Sequence, residues 1–208
     1  MTVPRPEKTV KVIGLGLRVA AFLVDSLIVW VAGLLLGILV ATAGLLLTMY
    51  LPGRPIPLDG LIVLSGLAFS VVYFVLAWAK SGQTLGKMAV GIKVIGADGQ
   101  PPSIGKAVLR YIGYFISGIA LSLGFLWVAF DQERQGWHDK LAKTYIVYSD
   151  VDFGNADTIT FTPNDPRPGW GWIILWVFLL VSMPLTLIAT LWGLGPYVGQ
   201  FLANLFGG

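Results

Sequence analysis

Hydrophobic positions fall into four long stretches, with the polar residues collected between them. The first runs from about Leu15 to Leu51, and past Asp25 it reaches Tyr50 without another ionisable side chain. Ser26 to Tyr50 alone meets the roughly 20 residues that a hydrocarbon core of about 30 Å demands. The lead-in, Val12 to Phe22, is expected in or near the membrane interface. Three prolines in Leu51-Pro52-Gly53-Arg54-Pro55-Ile56-Pro57 end the helix, because proline cannot supply a backbone donor. The second stretch, about Gly60 to Ala79, predicts an ordinary span. The last, Trp170 to Leu194, predicts another, with Trp170, Trp172 and Trp192 as interfacial anchors and Pro184 as a kink. The uncharged tail, Gly195 to Gly208, fits a segment lying in the interface.

The remaining stretch, Ala107 to Phe130, is long enough for one span but is broken by Gly113, Ser117, Gly118, Ser122 and Gly124. Crossing once, it would put Arg134, Lys140 and Lys143 opposite Lys80, Lys87, Lys93 and Lys106, against the tendency of positive charge to collect on the cytoplasmic side. A re-entrant hairpin turning near Gly118 puts every Lys and Arg except Arg54 on that side, and so satisfies the charge rule better. The strand-like runs Val90 to Ile95 and Thr144 to Tyr148 then share a compartment and can pair, with Ala97-Asp98-Gly99 supplying a turn. The expected fold is an all-α polytopic membrane protein. It has three long transmembrane helices, a shorter broken apolar segment (hairpin or single span) and a small cytoplasmic β-hairpin-like element.

Composition agrees with a bilayer setting: 56% of the 208 residues are hydrophobic and 12% charged, against roughly 25% charged in a soluble domain. With no cysteine and one histidine, His138, no metal site and no cofactor are expected. The first apolar run is too long for a signal-peptide core, so it reads as a retained helix. The net charge of +3 comes from basic residues flanking apolar runs, which points to lipid headgroups at Lys87, Lys93 and Lys106 and away from nucleic acid. Asp150-Val151-Asp152-Phe153-Gly154 lacks the oxygen ligand and closing glutamate of a calcium loop, so about 149 to 169 reads as a polar linker. Gly82 to Met88 lacks phosphate-loop spacing.

The informative residues are charges at the mouth of the first helix. A charge at a membrane helix centre costs about 2.5 to 3.5 kcal/mol on insertion scales, so it persists with a partner, water or a task. Arg18 and Asp25 lie seven residues apart, on one helical face but too distant to pair, so each needs a partner from elsewhere. Arg18 suits clamping a carboxylate, Asp139 or Asp131, with Asp25 further in. Asp25 is read either as a proton-exchanging carboxylate or as one locked to Arg110 or to a neighbouring subunit's arginine. His138, beside Asp139, is either a pH sensor or a hydrogen-bonding residue.

Arg18, Asp25, the run Gly82-Gln83-Thr84-Leu85-Gly86-Lys87-Met88 through Gly91-Ile92-Lys93-Val94, Arg110, and Arg134-Gln135-Gly136-Trp137-His138-Asp139-Lys140-Leu141-Ala142-Lys143-Thr144 together resemble the RDD family of small integral membrane proteins. The resemblance implies that Arg18 and Asp25 are the family's arginine and first aspartate. The second is Asp139, with Asp131 as rival. It covers about Val12 to Tyr148 and implies an RDD-type membrane domain over 1 to 148, with 170 to 208 as an additional helix and tail. Some members are implicated in cation/proton antiport and a eukaryotic relative serves as a membrane scaffold. The expected function is therefore exchange of monovalent cations for protons, or transport of a small solute, by a homo-oligomer, through a charge cluster of Arg18, Asp25, Asp139, Asp131, Arg110, Arg134 and His138. The alternative is a non-catalytic scaffold or assembly factor that uses the same charges to hold its helices and a membrane protein partner. Neither is an enzyme, and either sits in an inner or plasma membrane with a cytoplasmic N-terminus.

Overall fold

The computed structural model of the protein describes residues 7–51, 57–153 and 158–163, together with Gln200. The predicted final span and tail, and the proline turn at 52–56, lie outside the described residues. The chain divides into two units, Met1–Pro168 and Gly169–Gly208, and the first holds the elements below.

Among the described residues, two helices are long and apolar enough to cross a membrane: α1, Leu15–Tyr50, and α2, Leu58–Ser81. The 36 residues of α1 rise about 54 Å, more than a bilayer core needs. Its burial resolves the excess, because Leu15, Val19, Ala21 and Asp25 are buried while Leu27, Trp30, Leu34, Leu35, Ile38 and Leu39 are exposed. The first three turns therefore pack into protein, and the remainder presents apolar side chains outward, as a lipid-facing span does. In α2 the buried residues, Val75 and Trp78, sit at the C-terminal end. Lys80 in its last turn and Asp59 in its first suit the helix dipole, and Gly82 closes it at φ 72.

At this buried end the chain builds a sheet, which corrects the all-α expectation. Strands β1 (Glu7–Val12), β2 (Ile92–Gly96), β3 (Thr144–Tyr148) and β4 (Thr158–Pro163) form one four-stranded sheet in the order β2-β3-β1-β4. The antiparallel pair β2–β3 runs from Ile92 opposite Tyr148 to Gly96 opposite Thr144. β4 pairs parallel with β1 along all six of its residues, inside the stretch read as a polar linker. Alternation sets the two faces. Ile92, Val94 and Ile146 join Ile13, Ala21, Val75, Trp78 and Ala107 in a core under the helices. Val10, Ile95 and Val147 pack on the other face with Phe153, Ile159 and Phe161.

The third apolar stretch is neither straight nor continuous. Helix α4, Ile104–Ile119, stops at Ala120, and Leu121 and Ser122 adopt positive φ of 52 and 61. The short helix α5, Leu123–Leu126, and a 3₁₀ turn at Trp127–Ala129 then run at 111° to α4. The break falls two to four residues beyond Gly118. Because β2 precedes α4 and β3 follows the return, the stretch leaves from and comes back to one sheet. One face of α4 carries Ala107, Arg110, Gly113 and Ser117 inward, while Ile104, Val108, Ile112, Phe115 and Ile119 are exposed.

Candidate functional site

Between β1 and the first turn of α1 the chain passes Ile13 and Gly14, which brings Arg18 over the start of the sheet. All three guanidinium nitrogens of Arg18 donate: Nε to the Ile13 carbonyl at 3.0 Å, Nη1 to Asp139 Oδ2 at 2.6 Å and Nη2 to the Arg134 carbonyl at 2.6 Å. Asp139 occupies the first turn of α6, Trp137–Ala142, where its Oδ2 also accepts from the Gly136 N–H at 2.9 Å and so caps the helix it belongs to. Its other oxygen pairs with Arg110 Nη1, from the inward face of α4. Arg110 also donates to Thr144 Oγ1, the first residue of β3. Asp139 thus holds α1, α4 and its own helix α6 together, 121 residues along the chain from Arg18. Burial opposes ionisation of Asp139, but Arg110, His138, Arg18 and the Gly136 N–H outweigh it and hold the carboxyl well below the usual carboxylate range.

Close approach makes the clamp possible. A Cβ added at Gly113 in α4 would sit 2.7 Å from His138 Cα and 2.9 Å from its Cβ, so only glycine lets α4 and α6 approach this closely.

Asp25 lies elsewhere. It is buried, and its oxygens accept only from uncharged donors: Oδ1 from Tyr73 Oη at 2.7 Å and from the Gly86 N–H at 2.8 Å, and Oδ2 from Thr84 Oγ1 at 2.6 Å. Thr84 is in turn the N-cap of the five-residue helix α3, Leu85–Ala89, accepting from the Lys87 N–H at 3.3 Å. Asp25 therefore fixes α3 and its approach against α1 and α2. The expectation that it pairs with Arg110 fails for a geometric reason: Arg110 is committed to Asp139 and Thr144, on α6 and β3. Tyr73, Thr84 and Gly86 were not among the predicted site residues. The single signal for them was Asp25 itself, which needed donors.

The other predicted residues divide. Asp131 pairs with Lys140 and accepts from the Glu133 and Gln135 N–H groups at 3.2 and 3.0 Å, so it organises the turn before α6 and does not meet Arg18. Arg134 is buried and donates to the Ala129 carbonyl at 2.8 Å. His138 packs edge-on to Tyr114 at 4.5 Å and against Phe125 at 5.0 Å, with Nε2 3.4 Å from Asp139 Oδ2. Burial, against the pull of Asp139, pushes its pKa down to about 3. Burial among these rings thus favours the neutral form near pH 7, the setting of a packed hydrogen-bonding histidine.

Two of the three lysines assigned to headgroups are engaged by protein. Lys93 donates to the carbonyls of Ser149 at 3.0 Å and Val151 at 3.1 Å, strapping the chain after β3 to β2. Lys87 is buried, with Nζ 5.7 Å from the centroid of the Trp78 ring. A cation–π contact is worth up to about 2 kcal/mol, against an effective desolvation penalty of several for a buried ammonium, so the contact alone does not explain a buried charge. Burial lowers the Lys87 pKa accordingly. Lys106 is half-buried. Among the described residues no cluster of metal-ligating side chains forms.

The model of the RDD family matches residues 12–143. Uncharacterized protein YxaI of Bacillus subtilis is 41% identical over 83 residues, covering 39% of this chain and 54% of that protein. The proline-rich antigen homolog of Mycobacterium tuberculosis is 33% identical over 88 residues, 42% of this chain and 37% of its own length. The proline-rich antigen of Mycobacterium leprae is 35% identical over 65 residues, 31% of this chain and 26% of its own. The chain thus spans about half or less of the length of these curated relatives. No solved structure matches it.

Proposed function

The chain belongs to the RDD family, its matched region holding Arg18, Arg110 and Asp139, and we propose on that footing that it is a non-catalytic integral membrane scaffold. In this reading α1 and α2 cross the bilayer as a helical hairpin, and α4 to α6 dip into the inner leaflet with the apolar face of α4 toward lipid. The sheet lies at the cytoplasmic surface, with the N-terminus, as a fixed platform for a membrane protein partner. The observation that carries it is the clamp. Asp139 is buried between two arginines of its own chain, and each pKa unit separating it from neutrality represents about 1.4 kcal/mol of bias toward the ionised form. A carboxylate so held serves assembly and does not cycle protons near pH 7.

A second reading, monovalent cation/proton exchange by an oligomer, rests on Asp25: a buried carboxylate near the start of a span, with hydroxyl oxygens of Tyr73 and Thr84 beside it and no ion-paired cation among the described residues. Purified full-length protein in vesicles with a trapped pH dye separates the two. The scaffold predicts no pH change evoked by sodium or potassium over empty vesicles. An evoked change that disappears in a folded Asp25→Asn variant overturns it.

A further inference from the structure

Lys87 is buried among groups that give an ammonium nowhere to pair. The charged groups facing it are the guanidinium groups of Arg110 on α4 and Arg18 on α1, and the carboxylate of Asp25, also on α1. Tyr114 on α4 and the neutral ring of His138 on α6 are the titratable groups beside them. The Asp25 oxygens are already taken by Tyr73, Thr84 and Gly86. Among the described residues no carboxylate lies within ion-pair distance of Lys87 Nζ.

The neighbourhood has an excess of donors. Trp78 Nε1 and Arg110 Nε and Nη2 are buried and make no well-formed hydrogen bond among the described residues, although the Tyr114 hydroxyl lies beside the Arg110 guanidinium, and all three are donors only. The Arg110 guanidinium and Lys87 Nζ both lie over the Trp78 ring, at 5.3 and 5.7 Å from its centroid. An ammonium would add three more donors to this set, whereas an uncharged amine adds two donors and one lone pair.

We propose that Lys87 is a proton-binding site in the protein interior: its side chain, over the Trp78 ring and facing two arginines, rests as an uncharged amine and takes up one proton from the aqueous phase on acidification. In that step a new N–H bond forms from the amine lone pair, a hydronium ion gives up its proton and water leaves. Protonation sets a third positive charge against Arg110 and Arg18, so uptake works against the arginine clamp on Asp139. Burial, which disfavours the ammonium, acts in the same direction.

The test is a titration of full-length protein in detergent, with its lysines labelled with nitrogen-15 and followed by NMR between pH 6 and 11. One lysine Nζ resonance is expected to titrate so far below the others, which cluster near about 10.4, that it is still uncharged at neutral pH, and to be missing in both Lys87→Met and Lys87→Gln; a low resonance already protonated at neutral pH overturns the proposal. The wild-type spectrum decides even if one variant fails to fold. If all the lysines titrate together near that value, or the low resonance persists in a folded variant, the proposal fails. A melting series adds a second readout. The unfolded chain binds the extra proton below about pH 10.4 and the native amine does not. Wild-type stability therefore falls as pH drops from there toward the native midpoint, and Lys87→Met flattens that slope. An unchanged slope counts against the site.

Discussion

Arg18 and Arg110 both meet Asp139, but they do different work. Arg110 is wholly buried and its charge is answered by Asp139, whereas Arg18 also uses its other nitrogens on the carbonyls of Ile13 and Arg134. Replacing Asp139 with Asn keeps an acceptor of the same size but leaves two guanidinium groups without their counter-charge, and removing one partner of a buried pair costs about 3 to 5 kcal/mol. Arg18→Lys keeps the charge and offers one nitrogen where three are used. Thermal unfolding in detergent is expected to show a lowered Tm for both, lower for Asp139→Asn, and a wild-type Tm in Asp139→Asn would remove the clamp from the account of stability. His138 sets a separate pH dependence. Its native pKa of about 3 lies below the usual value near 6.5, so between those values the unfolded chain binds a proton that the native protein does not. Stability therefore falls as pH drops from about 6.5, by at most about 1.4 kcal/mol per unit. The depressed Asp139 adds its own loss only below about 3.9. Melting between pH 7 and 4.5 should slope downward in wild type and flatten in His138→Gln. That Arg18 meets a carboxylate was legible in the sequence, because a guanidinium at a helix mouth demands one, while the choice between Asp139 and Asp131 came only from the fold. Lys87 was not legible, since a lysine beside apolar runs reads the same whether it points to headgroups or inward.

Element boundaries were legible where the chain supplies its own punctuation. The helix α1 ends where the proline-rich turn begins, and β2 and β3 announce themselves through β-branched residues after Gly91 and after α6. Strand β1 was not legible: Glu7 to Val12 opens with three polar residues in a row and then merges into the hydrophobic run that follows. Strand β4 was hidden by the aspartates around it, although Thr158 to Pro163 does alternate. Its register is set by β1, a partner far away in sequence, which local pattern cannot reveal. The bend between α4 and α5 shows how a glycine's meaning depends on its neighbours. Gly113 faces the α6 backbone, while a methyl group placed at Gly105 or Gly118 on the same helix would meet nothing within 4 Å. Gly113→Ala must push α4 from α6 and is expected to destabilise by about 1 to 3 kcal/mol through overpacking. Gly118→Ala and Gly105→Ala gain up to about 1 kcal/mol of helix propensity. Opposite shifts in Tm on the two kinds of site are the expected outcome; equal shifts would show that the α4–α6 contact is not tight.

At the scale of the whole molecule the sheet decides the topology. Strand β1 enters α1 and β2 follows α2 and α3, so the first turns of α1 and the last turn of α2 belong to one end, and the loop between the two helices to the other. The pairing of β2 with β3 closes the circuit, because the stretch carrying α4 and α5 returns to the strand it left. If α1 and α2 each cross once, Asp98 and Ser149 must share a side and Asp59, in the first turn of α2, must lie opposite. A single crossing by Ala107 to Phe130 would instead separate Asp98 from Ser149 and pull the β2–β3 pair apart. The chain contains no cysteine, so each introduced thiol is the only one reporting. All three positions are exposed, which makes Asp98→Cys, Ser149→Cys and Asp59→Cys suitable reporters. In intact cells a membrane-impermeant maleimide is expected to label Asp59→Cys alone, and in inside-out vesicles Asp98→Cys and Ser149→Cys. External labelling of Ser149→Cys together with protection of Asp98→Cys would mean that the broken stretch crosses the membrane. In that case α1, α4 and α6 could not be joined through Asp139 on one side of the bilayer, because a carboxylate shared by two arginines requires all three elements to end at the same surface.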